Sequence, residues 1–410
     1  MSSITPLDSS DSGFDRPSNQ TPQRHFAMIA LGVFVMGMVG LSRYSWQQSA
    51  LFLIGGLFGV TLYRSGFGFA SAYRKLFIQR EVTGIYAQLV MLGVATILFA
   101  PVLAAGSIGG QVVKGAVAPI GLQGIIGAVL FGVGMQFGGA CGCGTLYTLG
   151  SGSLSMGVTF LAFSVGAFVA SLTRSFWAGL PSIPPISLGM NFGWLGAVVL
   201  QLAVITLIAI FLRWSQYKGI FSGWRSLEIK SFFQFPGTRR SWLSDRWSLF
   251  VGAVLLAILN WFTLIISGQP WRVTWGFALG AAKVALFLGW NPNGYPVWGT
   301  GSGQQALGQP LFTDASIVIN LGVILGALIA ASAAGQFLIK TAWNLPAIAS
   351  ALGGGFAMGY GAFLAFGCNI SAFFGGIAST SLHGWIWIIA ALVGTAIGLW
   401  LRRKLGFEVN

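Results

Sequence analysis

Ten long apolar runs divide this chain, and they restrict its fold more than any other feature. They cover 26–42, 48–63, 83–104, 122–140, 154–172, 193–213, 247–267, 315–336, 345–366 and 384–401. A helix needs about 20 apolar residues to cross the ~30 Å hydrocarbon core of a bilayer. Backbone at that depth must satisfy its own hydrogen bonds, so helices are the expected element. Only 7% of the 410 residues are charged, against about 25% in soluble domains. An ordinary soluble enzyme is thereby excluded.

The few charges are one-sided, with 22 Lys and Arg against 8 Asp and Glu. Nucleic-acid binders gather such cations on a water-facing surface. Here the cations stand singly between apolar runs, so no nucleic-acid partner is expected and the bilayer is. With the N-terminus inside, 17 of the 22 cations fall on inner segments. The outer ones are Arg43, Lys114, Arg174, Arg272 and Lys283. The positive-inside rule then places both termini in the cytoplasm. Arg74 and Lys75 read as anchors at the inner interface. Lys283 reads as a snorkelling surface lysine, and His383 as a helix-start residue at the outer surface.

Four shorter stretches, 66–77, 141–152, 274–289 and 368–379, are too brief or too Gly-rich to span. Each reads as a re-entrant half-helix, a form tolerated at membrane depth only where protein buries it or it lines a cavity. The expected fold is an all-α polytopic membrane protein. It has about ten transmembrane helices and four short re-entrant half-helices in two inverted repeats. A disordered cytoplasmic tail occupies 1–25, with no signal-peptide pattern, and an extra helix and loop fill 26–47. The first repeat covers 48–172, a connecting helix 173–213, a cytoplasmic loop 214–246 and the second repeat 247–404.

The repeat rests on two echoes. Gly132 and Gly134 precede Cys141 by the distances at which Gly359 and Gly361 precede Cys368. A small residue, Gly144 or Ser371, follows each cysteine, and then an aromatic, Tyr147 or Phe374. Earlier, Phe67-Gly68-Phe69-Ala70 echoes Trp275-Gly276-Phe277-Ala278. The odd span at 193–213 turns the second unit over, so the repeats run in opposite senses. Such repeats place substrate sites where broken helices meet near the midplane.

The chain has three cysteines, Cys141, Cys143 and Cys368, too few for a disulfide scaffold. The two histidines, His25 and His383, lie far apart, and no zinc spacing occurs; neither metal nor cofactor is expected. A cysteine in a membrane helix is commonly small apolar packing. The repeat match raises a second reading for Cys141 and Cys368, as thiols facing a path. Cys143 matches Ile370 and stays open between the two. Gly142, Gly144, Gly367, Asn369 and Ser371 flank these cysteines and bring backbone close to a passing solute. Half-helices starting there direct N–H groups and the positive end of the helix dipole inward, which suits an anion. Acidic residues are almost absent from the spans, which suits an anion too.

Residues Gly367-Cys368-Asn369-Ile370, with Ala372-Phe373-Phe374-Gly375-Gly376-Ile377 and Ser381-Leu382-His383-Gly384-Trp385, resemble the YeeE/YedE family of bacterial sulfur-transport membrane proteins. Cys141 with Gly144-Thr145-Leu146-Tyr147 resembles its first-half cysteine motif. Arg64 to Ala70 resembles its N-terminal half-helix, and Pro270-Trp271 with Trp275 to Ala278 the matching element of the second half. The resemblance implies uptake of a small sulfur-containing anion, thiosulfate before others, along a central path lined by thiols. A selenium-compound permease, a channel for another small solute, or a membrane component of a sulfur-transfer complex are the alternatives. A third family cysteine maps onto Gly68, so the expected relay lacks one thiol here, and Cys143 is a candidate substitute. The resemblance also implies a small cytosolic sulfur-carrier protein as partner.

Overall fold

In a computed structural model the chain is described over residues 23–217, 246–339 and 344–407. The expected tail to residue 22 and most of the expected loop at 214–246 lie outside the described residues.

Among the described residues ten helices are long and apolar enough to cross a membrane, and they coincide with the ten runs of the sequence. The chain opens with α1 (Arg24–Ser42), α2 (Trp46–Ser65), α3 (Phe69–Ile78) and α4 (Thr83–Ala105). It continues with α5 (Leu122–Gly138), α6 (Gly142–Gly150), α7 (Leu154–Leu172), α8 (Arg174–Trp177), α9 (Leu188–Phe192) and α10 (Trp194–Tyr217). After the undescribed stretch come α11 (Leu249–Ser267), α12 (Val273–Phe287), α13 (Pro296–Gly299), α14 (Gly301–Gly308) and α15 (Ala315–Ala333). Then follow α16 (Leu345–Leu364), a π-helix at Asn369–Phe374, α17 (Gly375–Ala378) and α18 (Leu382–Lys404). Four two-residue strands pair in the connections.

Local signals set the helix ends. Ser45 Oγ accepts from the Gln48 amide at 3.2 Å and Asn344 Oδ1 from the Ala347 amide at 2.8 Å, each capping a helix start. Asp314 caps α15 by accepting from the amides of Ser316 and Ile317. Glycines in the left-handed region close α2 and α11, at Gly66 (φ 60°) and Gly268 (φ 74°).

Four elements are too short to cross a bilayer. α3, α6 and α12 have 10, 9 and 15 residues, and the π-helix has 6. They correspond to the four interrupted stretches of the sequence. α1 and α10 stand at the perimeter, with only 17% of their apolar windows buried, and present apolar faces outward as lipid contact requires.

Packing pairs link the two halves. α2 lies against α15 and α4 against α11, while α16 lies against α7 and α18 against α5. The sequence echo matches α2 with α11, α4 with α15, α5 with α16 and α7 with α18. Each of these packing pairs therefore has its counterpart. Glycine makes the approaches close. A Cβ on Gly132 of α5 would stand 2.2 Å from the carbonyl oxygen of Ala391 in α18. A Cβ on Gly359 of α16 would stand 2.0 Å from that of Phe163 in α7. The glycines aligned by the repeat thus do the same work at matching interfaces. Side-chain-free crossings let membrane helices gain dispersion contacts that lipid would otherwise supply. One continuous apolar core runs through both halves and contains all three cysteines.

Candidate functional site: a thiol cluster beneath a cationic cavity

Two short helices start at the two motif cysteines. Gly139 closes α5 at φ 82°, and the chain turns back through Cys141, which sits at the cap position of α6 with φ −87° and ψ −179°. Cys368 holds the same position before the π-helix, with φ −93° and ψ −168°. Neither side chain caps its own helix. The backbone continues the helix from each cysteine: Thr145 N bonds Cys141 O and Ala372 N bonds Cys368 O, both at 2.8 Å.

The three sulfurs gather in one place. Cys141 Sγ and Cys143 Sγ are 3.4 Å apart. A Cβ built on Gly142 would meet Cys368 Sγ at 3.4 Å and Val273 Cγ1 of α12 at 3.5 Å. The cysteines of the two halves thus face each other across a glycine. Each cysteine is 1% exposed. Backbone amides lie near the sulfurs, those of Gly144 and Phe69 beside Cys141 and those of Ile370 and Ser371 beside Cys368. Three of the four short elements, α3, α6 and the π-helix, therefore present first-turn amides to sulfur, and the first residue of α12 touches the same cluster. Helix N-termini carry partial positive charge, so the cluster is polarised to receive an anion.

The flanking residues fix this geometry. Asn369 Oδ1 accepts from the Tyr73 hydroxyl at 3.2 Å, and its Nδ2 donates to Met135 Sδ at 3.1 Å, tying α3, α5 and the π-helix together. Ser371 Oγ lies 3.8 Å from Cys368 Sγ, and Trp387 Nε1 donates to the Gly367 carbonyl at 3.2 Å. Phe69, Phe373 and Trp387 form an aromatic wall with ring centroids 6.3 and 6.4 Å apart. Gly144 is tightly packed, since a Cβ there would stand 3.3 Å from Cys141 Sγ. Of the residues singled out from sequence, Cys141, Gly142, Cys143, Gly144, Gly367, Cys368, Asn369 and Ser371 are brought together. Gly68 stands one step removed, where a Cβ would meet Ser71 Oγ at 2.5 Å and Tyr147 Oη at 3.8 Å.

A cavity of about 550 Å³ lies beside the cluster, and Gly367 and Ser371 form part of its wall. Its lining includes Lys114, Arg174 and Arg272 and, among the described residues, no acidic side chain. Arg272 Cζ stands 5.0 Å over the Trp275 ring and Arg174 Cζ 5.8 Å over that of Phe366. Both arginines are exposed, and Arg272 Nη1 donates to Gln269 Oε1 at 3.2 Å. Guanidinium groups stay charged across the physiological range. The cavity is electropositive. Among the described residues no group of three or more His, Cys, Asp or Glu is placed to hold a metal.

Three sequence expectations are corrected. Arg74 does not anchor α3 at an interface: it is 6% exposed, and its Nε donates to Gln136 Oε1 at 3.2 Å. Its neighbour Lys75 is the surface residue, 3.6 Å from Glu81. His383 is buried rather than superficial, and its Nδ1 pairs with Ser381 Oγ at 2.7 Å. Lys283 does not snorkel freely, since its Nζ is held by the carbonyls of Leu307 and Gln309. A polar side chain in a bundle finds an internal partner when one is in reach, and helical position alone does not reveal which. Tyr73, Met135, Val273 and Thr274 escaped the sequence reading, because each looks like an ordinary helix residue until the halves are folded together.

Ten membrane-length helices enclosing short helices, with a buried thiol cluster under a cationic cavity, define a polytopic membrane protein built around a solute site. The chain matches the family described as sulphur transport over residues 64–397, and it belongs to that family. It is therefore a transporter rather than an enzyme. The chain is similar to the thiosulfate transporter TsuA of Spirochaeta thermophila, 25% identical over 376 residues that cover 85% of this chain and 97% of that protein. It is 26% identical to the Escherichia coli protein of the same name over 362 residues, covering 85% and 93%. A shorter similarity, 32% over 166 residues, relates it to the probable transporter YedE of Salmonella typhimurium, covering 40% and 39%.

Proposed function

We propose that this protein takes up thiosulfate across the bacterial inner membrane, along a path lined by Cys368, Cys141 and Cys143. The observation that carries the reading is the meeting of the two motif cysteines across Gly142. A thiol is a soft, polarisable group and a weak S–H donor. It suits the terminal sulfur of thiosulfate better than the hard oxygens of sulfate. Helix N-termini around the cluster offset the anion's charge. The absence of acids from the cavity lining among the described residues, and the name carried by the relatives that align along most of the chain, support the same reading.

On this reading the short helices are re-entrant, the two halves are inverted repeats, and the cavity with Lys114, Arg174 and Arg272 is the outer mouth. The anion then passes from Cys368 to the Cys141–Cys143 pair, the latter standing in for the thiol absent at Gly68. Both termini face the cytoplasm. There a small sulfur-carrier protein receives the product at a face where Arg80, Arg403 and Lys404 are exposed. The test is growth of a transporter-deficient bacterium on thiosulfate, sulfate or selenite as the added substrate. Wild-type protein should restore growth on thiosulfate alone, and Cys368→Ala should not. Equal growth with both proteins would remove the thiols from the mechanism.

A further inference from the structure

Helix α12 begins beside the thiol cluster and has no capping side chain. Its cap residue is Arg272, whose side chain makes no cap hydrogen bond. The first intrahelical bond of this turn runs from Gly276 N to Arg272 O, at 3.3 Å. The amides of Val273, Thr274 and Trp275 precede it and belong to the orphan donors of a helix start. That start is held rigidly. Asn320 of α15 accepts from Trp271 Nε1 at 2.9 Å and donates to the Val273 carbonyl at 3.2 Å. Arg272, Thr274 and Trp275 all line the cavity.

Thr274 supplies the second observation. The residue is 4% exposed, and its hydroxyl has no hydrogen-bond partner in the protein. A buried hydroxyl left unpaired keeps its desolvation cost, so an acceptor arriving from the cavity would relieve it. Threonine in a helix has two populated χ1 wells, so the hydroxyl reaches a ligand by rotation rather than by backbone movement. Meanwhile Val273, the preceding residue, touches the same point as Cys368 Sγ, at Gly142.

We infer that the N-terminus of α12, with the Thr274 hydroxyl and the Arg272 guanidinium, is a subsite for the oxygen-bearing end of the substrate, and that it turns the terminal sulfur toward Cys368. The inference rests on the thiosulfate reading above. Thiosulfate has two unlike ends. Its three oxygens accept strong charge-assisted hydrogen bonds from N–H, O–H and guanidinium donors. Its terminal sulfur does so poorly and is left for the thiol. An anion held oxygen-first on α12 is already oriented for transfer, sulfur leading. Thr274 is thus a positioning residue, and it sets which end of the anion meets the first thiol.

The experiment is uptake of radiolabelled thiosulfate by proteoliposomes containing full-length wild-type protein, Thr274→Val or Thr274→Ser. Valine keeps the shape and removes the donor; serine keeps the donor. KM for Thr274→Val should rise roughly tenfold, the size expected for a hydrogen bond to a charged ligand, with kcat within twofold and melting temperature unchanged or raised. Thr274→Ser should stay close to wild type. An unchanged KM in Thr274→Val, or equal damage in Thr274→Ser, would overturn the subsite while leaving the transport reading intact. Wild-type vesicles that take up no thiosulfate would overturn the transport reading itself. Should Thr274→Val fail to fold, Thr274→Ala against Thr274→Ser gives the same comparison.

Discussion

At the residue scale, the three cysteines do not share one environment. Cys141 and Cys368 hold equivalent cap positions with helix amides at their sulfurs, whereas Cys143 lies inside the first turn of α6, 3.4 Å from Cys141. Conservative replacement should separate them. Cys143→Ser keeps a donor near Cys141 and should lower thiosulfate uptake less than either Cys141→Ala or Cys368→Ala does, in matched vesicles. The Tyr73–Asn369 bond is a stability element that the thiols depend on. Tyr73→Phe leaves the buried Asn369 Oδ1 without this donor, at a cost of about 1–3 kcal/mol. A fall in melting temperature should accompany reduced uptake, and an unchanged melting temperature would count against the network. The cysteines were legible in the sequence because their spacing to Gly132, Gly134, Gly359 and Gly361 repeats. Tyr73 and Thr274 were not, since their roles arise from partners 296 residues away in one case and from the lack of any partner in the other.

At the scale of elements, glycine is the determinant of helix approach. A side chain at Gly132 or Gly359 would meet backbone oxygen, which cannot rotate away. Gly132→Val and Gly359→Val should each destabilise by about 1–3 kcal/mol through overpacking, read as reduced melting temperature in detergent. Gly353 of the same helix α16 has nothing within 4 Å of a built Cβ, so Gly353→Ala should be neutral or slightly stabilising. The ten long helices were legible from apolar run length, because lipid imposes that length directly. The four short ones were legible as interruptions. What the sequence left hidden was which ends converge: that Phe69 of α3 and Val273 of α12 both reach the sulfur cluster is a property of packing between halves. The same holds for the cationic cavity, whose Lys114, Arg174 and Arg272 come from three separate connections and read in sequence only as topology signals.

At the scale of the whole molecule, charge and fold describe one asymmetric object. The cations of the cavity lie on segments that the positive-inside distribution assigns to the outer side, and Arg402, Arg403 and Lys404 end α18 on the other. Reporter fusions at the two termini should both show cytoplasmic location, and an external reporter at either end would reverse the proposed direction of the path. Arg272→Gln, which removes a cavity charge but keeps most of the side chain's bulk, should raise KM for thiosulfate with less effect on the maximal rate. That effect should weaken as salt rises, because attraction to a water-filled mouth is screened. The central claim is that the thiols of both halves move the anion. Its most direct measurement is the initial rate of labelled thiosulfate influx into proteoliposomes containing wild type, Cys141→Ala, Cys368→Ala or the double variant. The account predicts that either single replacement lowers the rate about tenfold or more, and that the double variant falls little further, since both thiols serve one path. Wild-type rates in the single variants, with equal protein incorporated, would contradict it.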